Sequence, residues 1–272
     1  MIAKRIILAR AFAQALDYMR SLFQNLRLRF GSMIDQTHLS MPQKKPFRVY
    51  KRQQERISRG NLYRTTTFYT AFSIIVFILA FRWGHPFRAI AFYFGGIPVW
   101  MFVEYFSHRY ILHQHFKVSK KWYKKHLTFL ASKFLDPTHF GHHERPFDGN
   151  HMSGELSNLM PLFVVGVPLS IFFFPSFTAV MVIAGAFQSY IAEEWIHHAT
   201  HYYNFRGPYF RYMKKHHFYH HTSHGVTRGF GTSSGILDFI FQTRYPENVR
   251  RRLYGSKQPP TPMQTDQPIQ QA

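Results

Sequence analysis

Residues 194–221 read Glu194-Trp-Ile-His197-His-Ala-Thr-His201-Tyr-Tyr-Asn-Phe-Arg-Gly-Pro-Tyr-Phe-Arg-Tyr-Met-Lys-Lys-His-His217-Phe-Tyr-His220-His221. Two histidine arrays sit in this stretch: the H-x-x-x-H pair His197 and His201, and the H-x-x-H-H triplet His217, His220 and His221. On an α-helix, positions i, i+3 and i+4 lie on one face, one turn apart. Each array is therefore able to aim its imidazoles at one point beside its helix, which is the arrangement a bound metal needs.

A second set lies upstream. His108 and His113 form an H-x4-H pair, and His139, His142 and His143 form another H-x-x-H-H triplet. Imidazole suits zinc, copper, iron and nickel, and ten such ligands exceed what one ion accepts. Two metals in a shared site is the economical reading. His108 and His113 are five residues apart, about 140° off the ideal helical repeat. They either bind different metals or flank a local distortion. His38 and His85 stand alone and read as structural residues; His115, His126, His151, His198, His216 and His224 lie near the arrays with roles left open.

The chain has 272 residues, a formal net charge of +21 and no cysteine. The missing thiols exclude disulfides, cysteine-containing zinc sites and thiolate-bound clusters. So basic a chain points to an anionic partner, nucleic acid or an anionic membrane surface, and hydropathy decides between them. Four apolar segments, Thr65–Trp83, Ala89–Phe106, Leu159–Phe174 and Phe177–Ile191, are paired across short turns at Gly84–Arg88 and Pro175-Ser176. A membrane span needs roughly 20 apolar residues; the first two segments suffice, and the last two need their flanks. The expected fold is an all-α integral membrane protein with four transmembrane helices in two hairpins.

All of the 34 Lys and Arg except Arg82 and Arg88 fall in residues 1–64, 107–158 and 192–272. Under the positive-inside rule these segments are cytoplasmic, and all four arrays meet just outside the membrane on that side. Topology and anionic headgroups then account for the charge, and with no recognition motif present, no nucleic acid is expected. The host membrane is a bacterial inner membrane or the endoplasmic reticulum. Residues 1–30 place Leu8, Phe12, Ala15, Met19, Leu22, Leu26 and Phe30 on one stripe, an interfacial basic amphipathic helix. A cleaved signal peptide fits poorly for want of an apolar core, and a mitochondrial presequence is the alternative. Residues 31–64 read as a linker or peripheral segment, 65–256 as the membrane-embedded unit, and 257–272 as a disordered Pro- and Gln-rich tail.

An all-histidine dinuclear site at a membrane surface suggests oxygen activation on a lipid. Cleaving an unactivated C–H bond is beyond any side chain, so a metal carries that step. Iron is the expected working ion because zinc has no redox chemistry, although zinc is able to occupy such ligands in purified protein. Carboxylates commonly orient metal-bound imidazoles. Glu104 and Glu193 each stand four residues before a ligand, His108 and His197, and are candidates for that role.

These residues resemble the fatty acid hydroxylase superfamily, also called the sterol desaturase family, with its closest likeness to fatty acid 2-hydroxylases of sphingolipid acyl chains. Ser-His-Arg-Tyr with His113, His-His-Glu-Arg-Pro-Phe-Asp, Thr-His-Tyr-Tyr, His217–His221, and Gly229–Ser233 with Asp238-Phe239 carry the resemblance, over residues 65–245. It implies metal ligation by all ten array histidines, a four-span core with a cytosolic helical cap, and hydroxylation with O2 and supplied electrons. Asp238 joins Glu104 and Glu193 as a candidate carboxylate behind the ligands. Phe205 stands where 2-hydroxylases carry a histidine, and His197 upstream supplies the partner. The fused cytochrome b5 domain of some relatives is absent, so a separate carrier such as cytochrome b5 or ferredoxin is expected.

The reading is of a di-iron oxygenase hydroxylating a lipid acyl chain at carbon 2. A desaturase or a sterol or carotenoid oxidase of the same superfamily is the nearest rival, because ligand identity alone does not separate them. A metalloprotease would need H-E-x-x-H, but the residue four after His143 is Phe147 and Pro146 interrupts the helix. A non-enzymatic metal carrier would place its ligands within the membrane.

Overall fold

The protein is described from a computed structural model covering residues 47–83, 86–152, 155–174 and 178–254. The described elements are helical: α1 (Phe47–Trp83), α2 (Pro86–Ser107), α3 (Trp122–Glu144), α4 (Val167–Phe173), α5 (Thr178–Tyr202), α6 (Pro208–His220), α7 (Ile236–Ile240) and α8 (Glu247–Tyr254). Two π-helical turns, His108–Leu112 and Leu162–Gly166, and a 3-10 turn, Leu156–Leu159, join or extend them. The N-terminal amphipathic stripe, the turn residues Gly84 and His85, Pro175 and Ser176, and the C-terminal tail lie outside the described residues.

Three helical segments are long and apolar enough to cross a membrane: Phe47–Arg82, Pro86–Leu112 and Leu156–Phe173. Their outward faces carry Ile74, Ile75, Ile78 and Phe81 on α1 and Phe94, Val99 and Phe102 on α2, all exposed. Apolar surface on that scale needs a nonaqueous neighbour. The fourth expected segment, Phe177–Ile191, supplies the first half of α5. That helix also carries Gln188, Glu193 and Glu194 and is not among the three.

α5 is the axis of the fold. Val180, Met181, Ala184, Phe187 and Tyr190 on it are buried, and α2 crosses it closely. A Cβ on Gly185 would collide with the Tyr93 carbonyl, and one on Gly96 with the Val182 carbonyl. Small residues let two helix backbones approach in this way.

α1 packs on α5 through aromatic and small polar groups. Tyr69 meets Phe187 with ring centroids 4.6 Å apart, and Gln188 Nε2 donates to Tyr69 O at 3.2 Å and to Ser73 Oγ at 3.0 Å. Further down α1, Trp195 Nε1 donates to Thr66 Oγ1 at 2.9 Å and Tyr203 donates to Glu55 at 2.6 Å. Within the stretch expected as a linker or peripheral segment over 31–64, the described residues 47–64 are helical and continuous with the first apolar segment. The physical reason is a buried face, Ser58, Leu62 and Thr65, beside a stretch rich in basic and polar residues. Mean composition hides such a stripe.

Candidate metal centre

The ten array histidines divide into two groups of five. Site 1 comprises His108, His113, His139, His143 and His220; site 2 comprises His142, His197, His201, His217 and His221. Within each group the ligand-capable nitrogens all lie within 4.8 Å of one another.

The π turn His108–Leu112 resolves the five-residue spacing of the first pair. α2 widens there, and His113 caps the turn. A π turn closes i to i+5, so His108 and His113 share a face and a site; local distortion is the alternative that holds. The triplets behave differently from the expectation that each array converges on one point. His139 and His143 go to site 1 while His142 goes to site 2; His217 and His221 go to site 2 while His220 goes to site 1. His197 and His201, an i, i+4 pair with no middle member, both go to site 2. The two sites touch through His143 and His221, whose ring centroids are 4.4 Å apart.

The donor set fits a metal. Nε2 atoms face one another at 3.1 Å for His113–His220 and His139–His113, 3.0 Å for His197–His142, 2.8 Å for His217–His201 and 2.9 Å for His221–His217. With metal–nitrogen bonds of about 2.05 Å, adjacent donors in an octahedral arrangement lie about 2.9 Å apart. Two further inward nitrogens, His108 Nε2 and His143 Nε2, are buried without a hydrogen-bond partner. A buried polar atom left so is costly unless something binds it.

Electrostatics agree. Burial pushes His113 and His143 down to about 4 and His221 to about 2, helped in the last two by neighbouring imidazoles. Burial and the same mutual repulsion hold His139, His142, His201, His217 and His220 below the usual histidine range. In these eight rings the shift favours the neutral form, the one that binds metal.

Outer nitrogens are braced unequally. In site 1, His108 Nδ1 donates to Phe230 O at 2.5 Å and His220 Nδ1 to Arg228 O at 2.7 Å. Both carbonyls belong to one loop. It turns at Gly229, whose φ of 71° suits a residue without Cβ. Asp238, fully buried, accepts from Phe230 N at 2.9 Å, Gly231 N at 2.8 Å, Thr243 Oγ1 at 2.6 Å and His216 Nε2 at 3.2 Å. Burial pushes its carboxyl up, but the bonds from His216, Thr243 and Gly231 outweigh that and hold it below the usual carboxylate range. Asp238 thus holds the loop whose carbonyls meet His108 and His220. In site 2, Nδ1 of His142, His201 and His217 is buried without such a partner. His197 Nδ1 lies 3.9 Å from Glu194.

Glu104 and Glu193 do not take the place expected of them. Both turn to the loop: Glu104 accepts from Thr232 N at 2.6 Å and Ser233 N at 2.8 Å, and Glu193 lies 2.6 Å from Thr232 Oγ1. Spacing put them on the right turn of their helices, and the fold rotated them toward a neighbour 39 or more residues away. The loop's carbonyls were not readable as functional; the Gly229-Phe230-Gly231 run before Asp238 was the only signal.

The remaining histidines among the described residues fall outside both groups. His198 is buried against Ser58 at 2.8 Å, His216 binds Asp238, His115 stacks on Phe140, and His151 pairs with Asp148 at 3.0 Å. His126 and His224 are exposed. Phe205 packs on Phe210.

Residues 93–243 match the family model described as fatty acid hydroxylase, and that segment contains all ten histidines. The chain belongs to the fatty acid hydroxylase family. Among curated members of this family, a fatty acid 2-hydroxylase of Macaca fascicularis is 29% identical over 159 residues, covering 56% of this chain and 39% of the relative. A dihydroceramide fatty acyl 2-hydroxylase of Arabidopsis thaliana is 26% identical over 152 residues, covering 54% of this chain and 58% of its own. This chain therefore spans only part of the length of the hydroxylases it matches. A solved structure of full-length scs7p, with only the hydroxylase domain visible, superposes with a TM-score of 0.56 at 22% identity, over 68% of this chain and 67% of that one. At that identity the likeness speaks for the fold.

Proposed function

We propose that this protein is a membrane-bound di-iron oxygenase that hydroxylates a lipid acyl chain, at carbon 2 of a fatty acid or sphingolipid. The observation that carries this reading is the division of ten histidines into two adjoining five-nitrogen groups inside the family segment. Overall, one oxygen atom of O2 enters a C–H bond and the other becomes water, with two electrons and two protons supplied. A separate carrier of the cytochrome b5 or ferredoxin kind delivers the electrons. Bound iron supplies the oxygen-activating chemistry that no side chain has.

The chain's own residues hold and shield. His108, His113, His139, His143 and His220 hold one ion, and His142, His197, His201, His217 and His221 the other. Phe230 O and Arg228 O orient two of these rings. Exposed apolar side chains, Phe106 at the end of α2, Tyr110 and Ile111 in the π turn after it, and Ile236, Phe239 and Ile240 on α7, give a lipid an apolar approach. The carbon next to an acyl carbonyl lies near the headgroup, at the depth where spans meet the cytoplasm.

α5 completes a four-span core with the three apolar helices, and both termini and both sites are cytoplasmic. Reporters placed after Phe87 and after Pro175 are expected on the opposite side from one after Gln258; same-side reporting at all three removes this topology. Expression in a host lacking the activity, followed by mass spectrometry of hydrolysed lipids, is expected to show fatty acids with one added oxygen at carbon 2. Acyl chains that lose two hydrogens would make it a desaturase. Altered sterols or carotenoids beside unchanged acyl chains would move it elsewhere in the superfamily.

A further inference from the structure

Glu104 on α2 and Glu193 on α5 approach the same hydroxyl. Thr232 Oγ1 lies 2.9 Å from Glu104 Oε1 and 2.6 Å from Glu193 Oε1. A threonine hydroxyl carries one proton. It donates to one of these oxygens, and the other contact needs a proton of its own.

The remaining partners decide which. Glu104, buried, also meets the N–H of Thr232 at 2.6 Å, the N–H of Ser233 at 2.8 Å and Ser233 Oγ at 2.5 Å. Backbone N–H groups only donate, and two of them point at the same Oε1 that faces Thr232, leaving no room for a proton there. Glu104 is a carboxylate in a nest of donors. Glu193 has one fixed donor, Trp100 Nε1, 2.6 Å from Oε2, and its Oε1 is the atom facing Thr232. Were both groups ionised, two like charges would share a single hydroxyl proton, the situation that drives one member of a close pair neutral.

We propose that Glu193 is a neutral acid that donates to Thr232, which donates to the Glu104 carboxylate. This one-way chain makes Glu193 and Glu104 positioning residues that set α2, α5 and the 230–233 loop in one register. Each helix carries metal-site histidines one turn further on, His108 and His197, and the loop carries the carbonyl that holds His108.

The test uses the full-length protein in lipid nanodiscs at pH 7. Infrared difference spectra in H2O and D2O are expected to show a carboxylic-acid C=O band that Glu193→Gln removes. Gln replaces the neutral acid with a group that still donates to Thr232, so E193Q is expected to lower metal affinity by less than about threefold. Glu104→Gln points an amide NH2 or strips charge from a site built of donors, and is expected to lower affinity by about tenfold or more. Thr232→Val is expected to lose affinity as E104Q does, and Thr232→Ser to restore it. Absence of the acid band from the wild type, its survival in E193Q, or equal losses in E193Q and E104Q would each overturn the assignment. The affinity arm rests on the two-metal reading above, whereas the infrared arm does not; a metal-free wild type that shows the band would sink that reading and leave this one standing.

Discussion

Site 2 takes all five of its histidines from helices or their ends: His142 on α3, His197 and His201 on α5, and His217 and His221 on α6 and its cap. Four of the five are buried. Site 1 takes His108 and His113 from a π turn and its cap, and leaves His113, His139 and His143 half-buried. Its outer nitrogens lean on carbonyls of the 228–230 loop, which in turn leans on Asp238. Helix packing alone sets site 2, whereas site 1 depends on a loop that single carboxylates keep in shape. The two centres should therefore fail in different ways.

Removing a ligand has the largest effect. With about two ions per wild-type chain, His201→Ala is expected to empty site 2 and His113→Ala site 1, each lowering metal content by about one ion. Activity should fall by at least about a hundredfold in both, above the range set by outer partners, with membrane insertion unchanged. A wild-type content of one ion, or full activity in either variant, would end the division into two sites.

Loosening the loop is next. Asp238→Asn turns an amide toward N–H donors that now meet a carboxylate, and is expected to weaken metal binding at site 1 by about 10- to 100-fold. Stepwise metal titration should show site 2 unchanged. Equal weakening of both sites would mean that the loop braces the whole centre.

Chelation probes exposure. Metal should leave the wild type in two phases, the faster from half-buried site 1, and His113→Ala should lack that phase. A single phase, or a fast phase lost in His201→Ala instead, would reverse the comparison.

The smallest effect is expected behind site 2. Ser58→Ala removes the partner of His198 Nδ1 at 2.8 Å. The expected cost is about 1–3 kcal/mol of unfolding free energy, with both ions retained. Loss of an ion would make α1 part of the metal centre.

The sequence by itself determined the candidate ligand set, the helical class and three of the apolar segments long enough to cross a membrane, because all three depend on short-range periodicity. Residues three or four apart share a helix face whatever the helix packs against, and an apolar run is apolar in any fold. It also left the His108–His113 spacing open between two outcomes, since a π turn has no reliable local signature. Only the tertiary structure decided how ten imidazoles are shared. In an H-x-x-H-H triplet the first and last residues stand about 40° apart around the axis and the last two about 100° apart. A helix end lying between two centres therefore sends its outer pair one way and its middle member the other, and spacing does not say where the helix lies. The same holds for Glu104, Glu193 and residues 47–64. Periodicity put each side chain on a turn, but the partner was a loop or helix far along the chain, and long-range packing chose it.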